Sequence, residues 1–513
     1  MGIASREASD VNFTKWTARM LKEIVASELA PPPLIVVSNA QPYAHHRMED
    51  GHVVSQRSPS GVITALEPIV RACAAVWVAH GNGSADQDLV DEVDHAINSS
   101  GDYPYVLRRV WLSDEEKEGY YQRFSNEGLW PLCLNTAIEP KFDDRSWRLY
   151  SAANCRFADA ICEESAAEDP VIFIHDYHLA ILPKLVRDRL PKATIVTFWH
   201  IPWPRVEKFE VCPWGREILQ NLLAADVLGF QTEGFRRLFL ETTRHLVRHS
   251  SIDGDTIKLG GQVVHTGTYP VSVEWSPEWL CEVEEVADCR HAIRKRYSIE
   301  SNVILGVGID RWDITKGIVE RLLAIESFLE TNFNYCERLV LIQVLAPSRV
   351  DIDAYKELHS RTRQEIARIN QRFRTKKWMP IILVDERQSR EMVYTLLRSS
   401  DFCLVNSLHD GMNLVSKEFV SSRDDNDGVL ILSKGAGASL ELDGALLVDP
   451  LNVMDVASAI KTASTMNHKE RQSRMKMMRS ILEANDIYRW AGRILTDAGT
   501  MKRLRHAALQ EAV

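Results

Sequence analysis

Beyond Pro33 the chain alternates short, unbroken apolar runs with longer stretches of helical periodicity. The apolar runs predict strands at Leu34–Val37, Val76–Ala79, Val171–Ile174, Ala193–Phe198 and Val227–Phe230. A second series follows at Val303–Val307, Leu339–Val344, Pro380–Val384, Phe402–Val405, Val429–Leu432 and Ala445–Val448. Runs without polar alternation suit strands covered on both faces. Helical patterns lie between them, as at Lys316–Glu330 and Arg387–Ser399. Such alternation means parallel sheets with crossover helices, and two series predict an α/β protein of two doubly wound domains. The break is expected near Tyr269–Ser276, where "TYPVSVEWSP" carries two prolines before an acidic helical stretch. Substrates of such a protein are expected in the cleft between its halves.

The ends of the chain read as helices. Phe13, Trp16, Met20, Leu21, Ile24, Val25 and Leu29 share one helical face, which predicts a helix docked on the body of the protein. A partner-binding or oligomerisation helix is the alternative. "NDIYRWAGRIL" near the other end places Ile487, Trp490, Ala491 and Ile494 on one side.

At 513 residues the chain exceeds one ordinary core, and 45% apolar with 26% charged residues fits a globular enzyme rather than a disordered chain. The net charge of −10 is spread along the sequence with no basic block to track nucleic acid, so no nucleic-acid partner is expected. No segment approaches the ~18 apolar residues of a membrane span. Nine cysteines without a CxxC pair favour reduced thiols in a cytoplasmic protein. Glu7, Asp10, Glu23 and Glu28 argue against a secretory signal in the first thirty residues.

Candidate chemistry gathers at strand ends, where open α/β sheets bind ligands. Ser38 and Asn39 are expected to break the first strand and Pro42 to stop it. The resulting turn carries a hydroxyl, amides and a phenol but no charge, with Ala40 at its tip. In "NSLHDGMNLVSKEFVSS" the pair Asp410-Gly411 is expected to open a helix whose free N–H groups suit a phosphate or sugar hydroxyls. Glu418, two turns into that helix, could accept both hydroxyls of a ribose. An Asp-capped helix with a solvent-facing Glu fits the spacing equally well. In "GVGIDRWDITKG" Arg311 and Lys316 could neutralise a diphosphate leaving group. Asp176 lies between His175 and His178, His200 ends the next strand, and Gln231 the one after. These histidines and Asp176 are metal-ligand types, but HxxxH and HxH spacings are absent from the cluster, so no metal is expected. "RDDNDG" reads as an exposed turn, and no GxSxG, HExxH or Walker pattern occurs.

Taken together, "HDYHL", "HIPWP", "LGFQT", "RWDITKG", "APSR", "DGMNLVSKEF", "GVLILSKGAGAS" and "YYQRFSNEGLWP" resemble the trehalose-6-phosphate synthase family of retaining glycosyltransferases. The resemblance runs from about Leu34 to about Leu495. It implies a GT-B fold, two Rossmann-like domains facing across a cleft. Residues 34–272 would form the acceptor-side domain, 273–485 the nucleotide-sugar domain and 1–33 a helical extension. Residues 486–513 would pack back on the first domain. The implied donor is a nucleoside-diphosphate sugar, usually UDP-glucose. Arg311 and Lys316 would hold its diphosphate, Glu418 its ribose, and the Leu414–Val415 backbone would lie beside the phosphates. Asp410, Gly411, Met412 and Asn413 would grip its glucose, with His200 near the sugar, Gly61 near the phosphates and Gln231 also on the donor side. Tyr121, Trp130, Asp176, Arg349 and the position of Ala40 would form the acceptor side, where glucose 6-phosphate sits in the usual members. Asp176, His200, Arg311, Lys316 and Asp410 are the implied catalytic group. Transfer would retain the anomeric configuration without a metal, the leaving phosphate oxygen helping to deprotonate the incoming hydroxyl. Double displacement through Asp410 is the rival.

Three departures from the family pattern concern the acceptor. Members usually read "VSNR" where this chain has Ala40, losing an Arg–phosphate contact that is charge-assisted and often bidentate. The family's Gly-Gly loop is Ser60-Gly61, and "PLCLNTAIEP" lacks the expected His or Arg residues. Trehalose 6-phosphate formation therefore calls for Arg349, Tyr121 and another base such as Arg57 to hold the phosphate. Other acceptors, namely glycerol 3-phosphate, an unphosphorylated polyol or sugar, or an aminocyclitol, stay open, as does a non-catalytic sugar-phosphate sensor. A homo-oligomer is also open.

Overall fold

A computed structural model of the protein describes residues 15–29, 33–58, 60–90, 105–134, 136, 138–349 and 352–511. Phe13, part of the expected N-terminal helical face, lies outside them. Two sheets form the frame. The first runs Val106–Val110, Val76–His80, Leu34–Ala40, Val171–His175, Thr194–Trp199, Val227–Phe230, Gln262–Thr268, Thr256–Leu259, Ser251–Asp253. It is parallel as far as Gln262–Thr268, and the last two strands are antiparallel. The second, parallel throughout, runs Ile381–Val384, Leu339–Ala346, Ile304–Arg311, Phe402–Val405, Val429–Ser433, Leu446–Val448. Both are Rossmann-like, and each has a point where the strand order reverses. In the first sheet it falls between the strands ending at Ala40 and His175, in the second between those ending at Arg311 and Val405. Doubly wound sheets bind ligands at the carboxyl ends of the strands flanking such a point.

The first strand does not break at Ser38. Ser38 Oγ donates to the Ala40 carbonyl at 2.8 Å and accepts from Trp77 Nε1 at 2.9 Å, so its polar group is satisfied inside the ladder. Pairing continues to Ala40, with an irregularity between Ser38 and Ala40. The chain then forms a hairpin, Tyr43–Arg47 with Val53–Arg57, that the apolar pattern did not predict. The helix expected from Lys316 starts at Ile318, after a 3₁₀ turn in which Asp313 accepts from Thr315 N and Oγ1. The helix expected from Arg387 starts at Arg390, capped by Ser389.

The helix Ile487–Glu511 lies across the first sheet. Trp490 Nε1 donates to the Tyr269 carbonyl at 3.0 Å, Tyr269 Oη to Asp497 at 2.6 Å, and Arg505 pairs with Asp226. On it packs the helix Ala18–Glu28, capped by Thr17, with Leu21 and Val25 buried. Trp16 covers Gly492 so closely that a Cβ there would fall 2.2 Å from the indole. Gly492→Val should therefore displace the N-terminal helix, at a cost of about 1–3 kcal/mol. A lowered Tm and new tryptic cleavage between Lys15 and Lys22 would show it; unchanged values for both would contradict the packing.

Candidate active site

The second sheet delivers cations to the cleft. Arg311 is the last residue of its strand, half-buried, and its guanidinium has neither hydrogen bond nor ion pair among the described residues. Five residues on, Lys316 Nζ donates to Asp410 Oδ2 at 2.6 Å. Gly317 makes this turn fit: its φ is +59°, and a Cβ would fall 2.2 Å from the Asn406 carbonyl oxygen. Asp410 also accepts from Ser407 Oγ at 3.2 Å and Asn413 Nδ2 at 3.1 Å. Burial works against its charge, but Lys316, Asn413 and Ser407 outweigh it and hold the carboxyl below its usual range.

The helix after this turn begins later than the sequence suggested. Its cap is Asn413, at φ +81°, whose Oδ1 accepts from Ser416 N at 3.0 Å; Asp410 does not cap it. Glu418 therefore lies one turn into the helix Leu414–Ser422, not two. Its side chain is half-buried with no partner among the described residues, and burial alone pushes the carboxyl up to about 7.

Opposite stands the first sheet's switch point. Asp176 holds φ at +76°, a strained conformation for a non-glycine, with its N–H donating to the Phe198 carbonyl at 2.8 Å. Its Oδ1 accepts from His200 N at 3.3 Å. Burial pushes the carboxyl up to about 7, against backbone hydrogen bonds and the charges of Arg349 and Arg311. His200 and His175 share a hydrogen bond of 3.1 Å, and burial brings His200 down to about 3, so both rings are neutral. Gln231 is already occupied: it accepts from Val271 N and donates to the His200 carbonyl, fixing the strand-end backbone.

Tyr121 sits on a π-helical stretch, Glu118–Leu129, of a kind that often marks functional sites. Its ring stacks on His178 with centroids 5.6 Å apart, while neighbouring Tyr120 donates to Asn39 Oδ1. Trp130 lies under the Arg349 guanidinium, 4.0 Å from ring centre to carbon, and its buried Nε1 has no hydrogen-bond partner. Arg349 is not free. Its Nη1 donates to Asp313 Oδ2 at 2.9 Å and to Tyr355 Oη at 2.7 Å, while its buried Nε is unpaired.

The two sides touch at small residues. A Cβ on Gly411 would fall 2.1 Å from the His200 carbonyl oxygen, and one on Gly61 would lie 3.4 Å from Leu414. His409 Nδ1 donates to the Leu134 carbonyl at 3.0 Å. Met412 is buried in the core beside them. The structure thus brings Asp176, His200, Arg311, Lys316, Asp410 and Gly411 to one cleft, with Trp130 and Arg349 stacked across it. Asp313, Gly317 and Tyr355 were missed by sequence reasoning, and only the glycine after Lys316 offered a signal.

Ala40 brings no polar side chain, and the arginines near its hairpin are engaged elsewhere. Arg57 is paired with Glu67, so its charge is already shared with a carboxylate. Arg109 is fully buried, donating to Gln41 Oε1 at 2.8 Å and lying 3.5 Å from Asp86. "RDDNDG" is no simple exposed turn: Arg423 is buried against Asp425, and Asp427 pairs with Arg471. Among the described residues no group of three metal-ligating side chains converges. No described helix is long and apolar enough to cross a membrane.

The family model for glycosyltransferase family 20 matches residues 32–499. The chain belongs to glycosyltransferase family 20. It is 33% identical over 471 residues to a trehalose-6-phosphate synthase of Mycobacterium avium, covering 89% of this chain and 93% of that one. It is 32% identical to an alpha,alpha-trehalose-phosphate synthase [UDP-forming] of Candida albicans, over 87% and 92% of the two chains. Among solved structures, an alpha,alpha-trehalose-phosphate synthase (UDP-forming) of Burkholderia xenovorans in complex with glucose 6-phosphate superposes with a TM-score of 0.79 at 29% identity, over 91% of this chain and all of that one. The family 20 chain has the GT-B fold, its two Rossmann-like domains facing across the cleft described above, and it is a glycosyltransferase of the trehalose-6-phosphate synthase family.

Glu418 makes a pH test of this geometry. In the folded protein its carboxyl keeps its proton up to about pH 7. In the unfolded chain it ionises near pH 4. The folded state therefore loses stability on this account as pH rises from about 4 to about 7. Glu418→Gln escapes that loss, so its ligand-free Tm should exceed the wild type's by about 1–3 °C at pH 8 and match it at pH 4.5. Equal Tm values at both pH values would contradict the buried, unpartnered carboxylate.

Proposed function

We propose that the protein transfers glucose from UDP-glucose to glucose 6-phosphate, with retention at the anomeric carbon, releasing trehalose 6-phosphate and UDP. The observation that carries this reading is the convergence of unpaired Arg311, the Lys316–Asp410 pair and partnerless Glu418 at one switch point, facing Asp176 and His200 at the other. Residues 34–272 then serve the acceptor and residues 273–485 the nucleotide sugar.

In this reading Glu418 accepts the two ribose hydroxyls, which supply the partners its buried carboxylate lacks. Arg311 and Lys316 take the diphosphate, and their positive charge stabilises the negative charge that grows on the leaving oxygen. Asp410 keeps Lys316 charged in its buried position and turns its remaining oxygen to a glucose hydroxyl. The neutral His200 donates or accepts a hydrogen bond on the donor sugar, and the backbone of Gly411 lets that sugar approach closely. Asp176, held near the acceptor by its strained backbone, orients the incoming hydroxyl. The leaving phosphate oxygen takes that hydroxyl's proton on the same face as bond cleavage. Rate then comes from positioning and charge rather than from a protein nucleophile. Since the cations are side chains, the reaction needs no metal.

One observation favours a second acceptor class alongside glucose 6-phosphate. With Ala40 on the acceptor side, Arg57 held by Glu67 and Arg349 shared with Asp313 and Tyr355, the phosphate end is short of positive charge. An unphosphorylated sugar or polyol, or an aminocyclitol, suits such a site.

UDP release from UDP-glucose should depend on an added acceptor and survive EDTA; release indifferent to every sugar, sugar phosphate and polyol would overturn the assignment. Lys316→Ala should lower kcat by about 10²–10³-fold. Ala40→Arg should lower KM for glucose 6-phosphate about tenfold or more, as one added charge-assisted hydrogen bond would. An unchanged KM for glucose 6-phosphate, with kcat/KM falling for an unphosphorylated acceptor, would favour the second class.

A further inference from the structure

A second concentration of positive charge lies away from the cleft chemistry, around one buried carboxylate. Glu67, on the helix Gly61–Cys73, is buried; Tyr43 Oη donates to its Oε1 at 2.9 Å and Arg71 Nη2 to the same oxygen at 2.8 Å. Arg57 pairs with Oε2. From the other domain Arg390, first residue of the helix Arg390–Ser399, brings Nη2 to 3.9 Å from Oε2. Three guanidiniums therefore share one carboxylate, a surplus of two positive charges at a junction between domains.

Arg390 makes no hydrogen bond through its side chain among the described residues; it is held by stacking on Trp279, 4.2 Å from the ring centre. Tyr105 belongs to the same neighbourhood, with Glu67, Tyr43, Arg71 and Arg57 the groups acting on it. It is 5% exposed, and its hydroxyl is buried without a partner. A buried donor left unpaired beside planar guanidiniums in excess matches what a phosphate group needs: several N–H and O–H donors and a net positive field. Stacking fixes the Arg390 plane while leaving its donors free.

We propose that this junction is an accessory site for a phosphate group, free or as a monoester, seated between Arg390 of one domain and Arg57 and Arg71 of the other. Glu67 sets the spacing of the arginines and the anion supplies the charge that balances them. Because the ligand touches both domains, its binding favours the closed cleft and tightens the donor site without entering it. The inference uses the proposed glycosyl transfer only as one readout, and the binding measurement stands without it.

The test is calorimetric titration of the full chain with inorganic phosphate and, separately, phenyl phosphate. Wild type, Arg390→Ala, Arg71→Gln and Arg349→Ala are compared. Loss of one binding event in Arg390→Ala and Arg71→Gln, at least tenfold in Kd, with that event retained in Arg349→Ala, supports the site. Binding of inorganic phosphate alone would mark free phosphate as the ligand, and binding of both would admit monoesters. Loss only in Arg349→Ala places the anion in the acceptor cleft and overturns the proposal, as does equal binding in all four proteins or none. Without added phosphate the turnover of Arg71→Gln should match wild type. With phosphate the wild type's KM for UDP-glucose should fall at least twofold and that of Arg71→Gln should not move; a parallel fall in both proteins would also overturn it.

Discussion

A charged lysine has to be kept charged in a largely buried position, and much of the second domain's side of the cleft follows from that. Lys316 gains nothing from burial, which works to strip its proton; Asp410, with Asp310 and Asp313 nearby, holds the charge in place. A buried ion pair repays its desolvation only with good geometry and with the remaining lone pairs satisfied. Ser407 and Asn413 donate to the same Asp410 oxygen as Lys316, Gly317 gives the turn its left-handed bend, and Asn413 caps the next helix in the same stroke. The polar turn around Lys316 and Asp410 is therefore one connected unit, its parts about a hundred residues apart in the sequence. Arg311, by contrast, stands outside it, its guanidinium without a hydrogen bond or ion pair among the described residues.

Much of this was legible in the sequence because fully buried parallel strands leave unbroken apolar runs. Phe402–Val405 and Val227–Phe230 were read to the residue. What escaped were strands whose apolar runs are broken by polar residues, Val106–Val110 and Gln262–Thr268 among them. "YAHHR" at Tyr43–Arg47 carries three basic side chains on a two-stranded ribbon, and Ser251–Asp253 lies at the far edge of its sheet with exposed ends. Ser38 misled for a related reason: a hydroxyl breaks a strand only when no neighbour satisfies it, and the Trp77 indole that does so lies 39 positions away. Helix starts drifted where irregular backbone intervened, which moved Glu418 by a turn.

Site residues followed the same division. Candidates borne by strand ends and their turns, such as Asp176, His200, Arg311 and Lys316, could be placed at the cleft because local pattern positions them. The engagement of Arg349 could not. Its partners Asp313 and Tyr355 come from another strand end and the following helix, and its stacking partner Trp130 comes from the other domain. Sequence gave the guanidinium without its commitments, and those commitments decide how much charge is left for an acceptor.

The same accounting explains why the loss of one arginine matters at position 40. A phosphate dianion in a site of low polarity needs cations within a few ångströms, since charges further away are screened by water at the cleft mouth. Arg349 has Nη1 tied to Asp313 and Tyr355, so turning the whole guanidinium toward a phosphate exchanges those bonds, and part of the phosphate's attraction is spent on that exchange. An acceptor that contacts Tyr121, Trp130 and Asp176 through hydroxyls alone leaves the exchange unmade and Arg349 in place. Ala40 thus shifts the balance at the acceptor end by what it omits and also by what it leaves Arg349 free to keep.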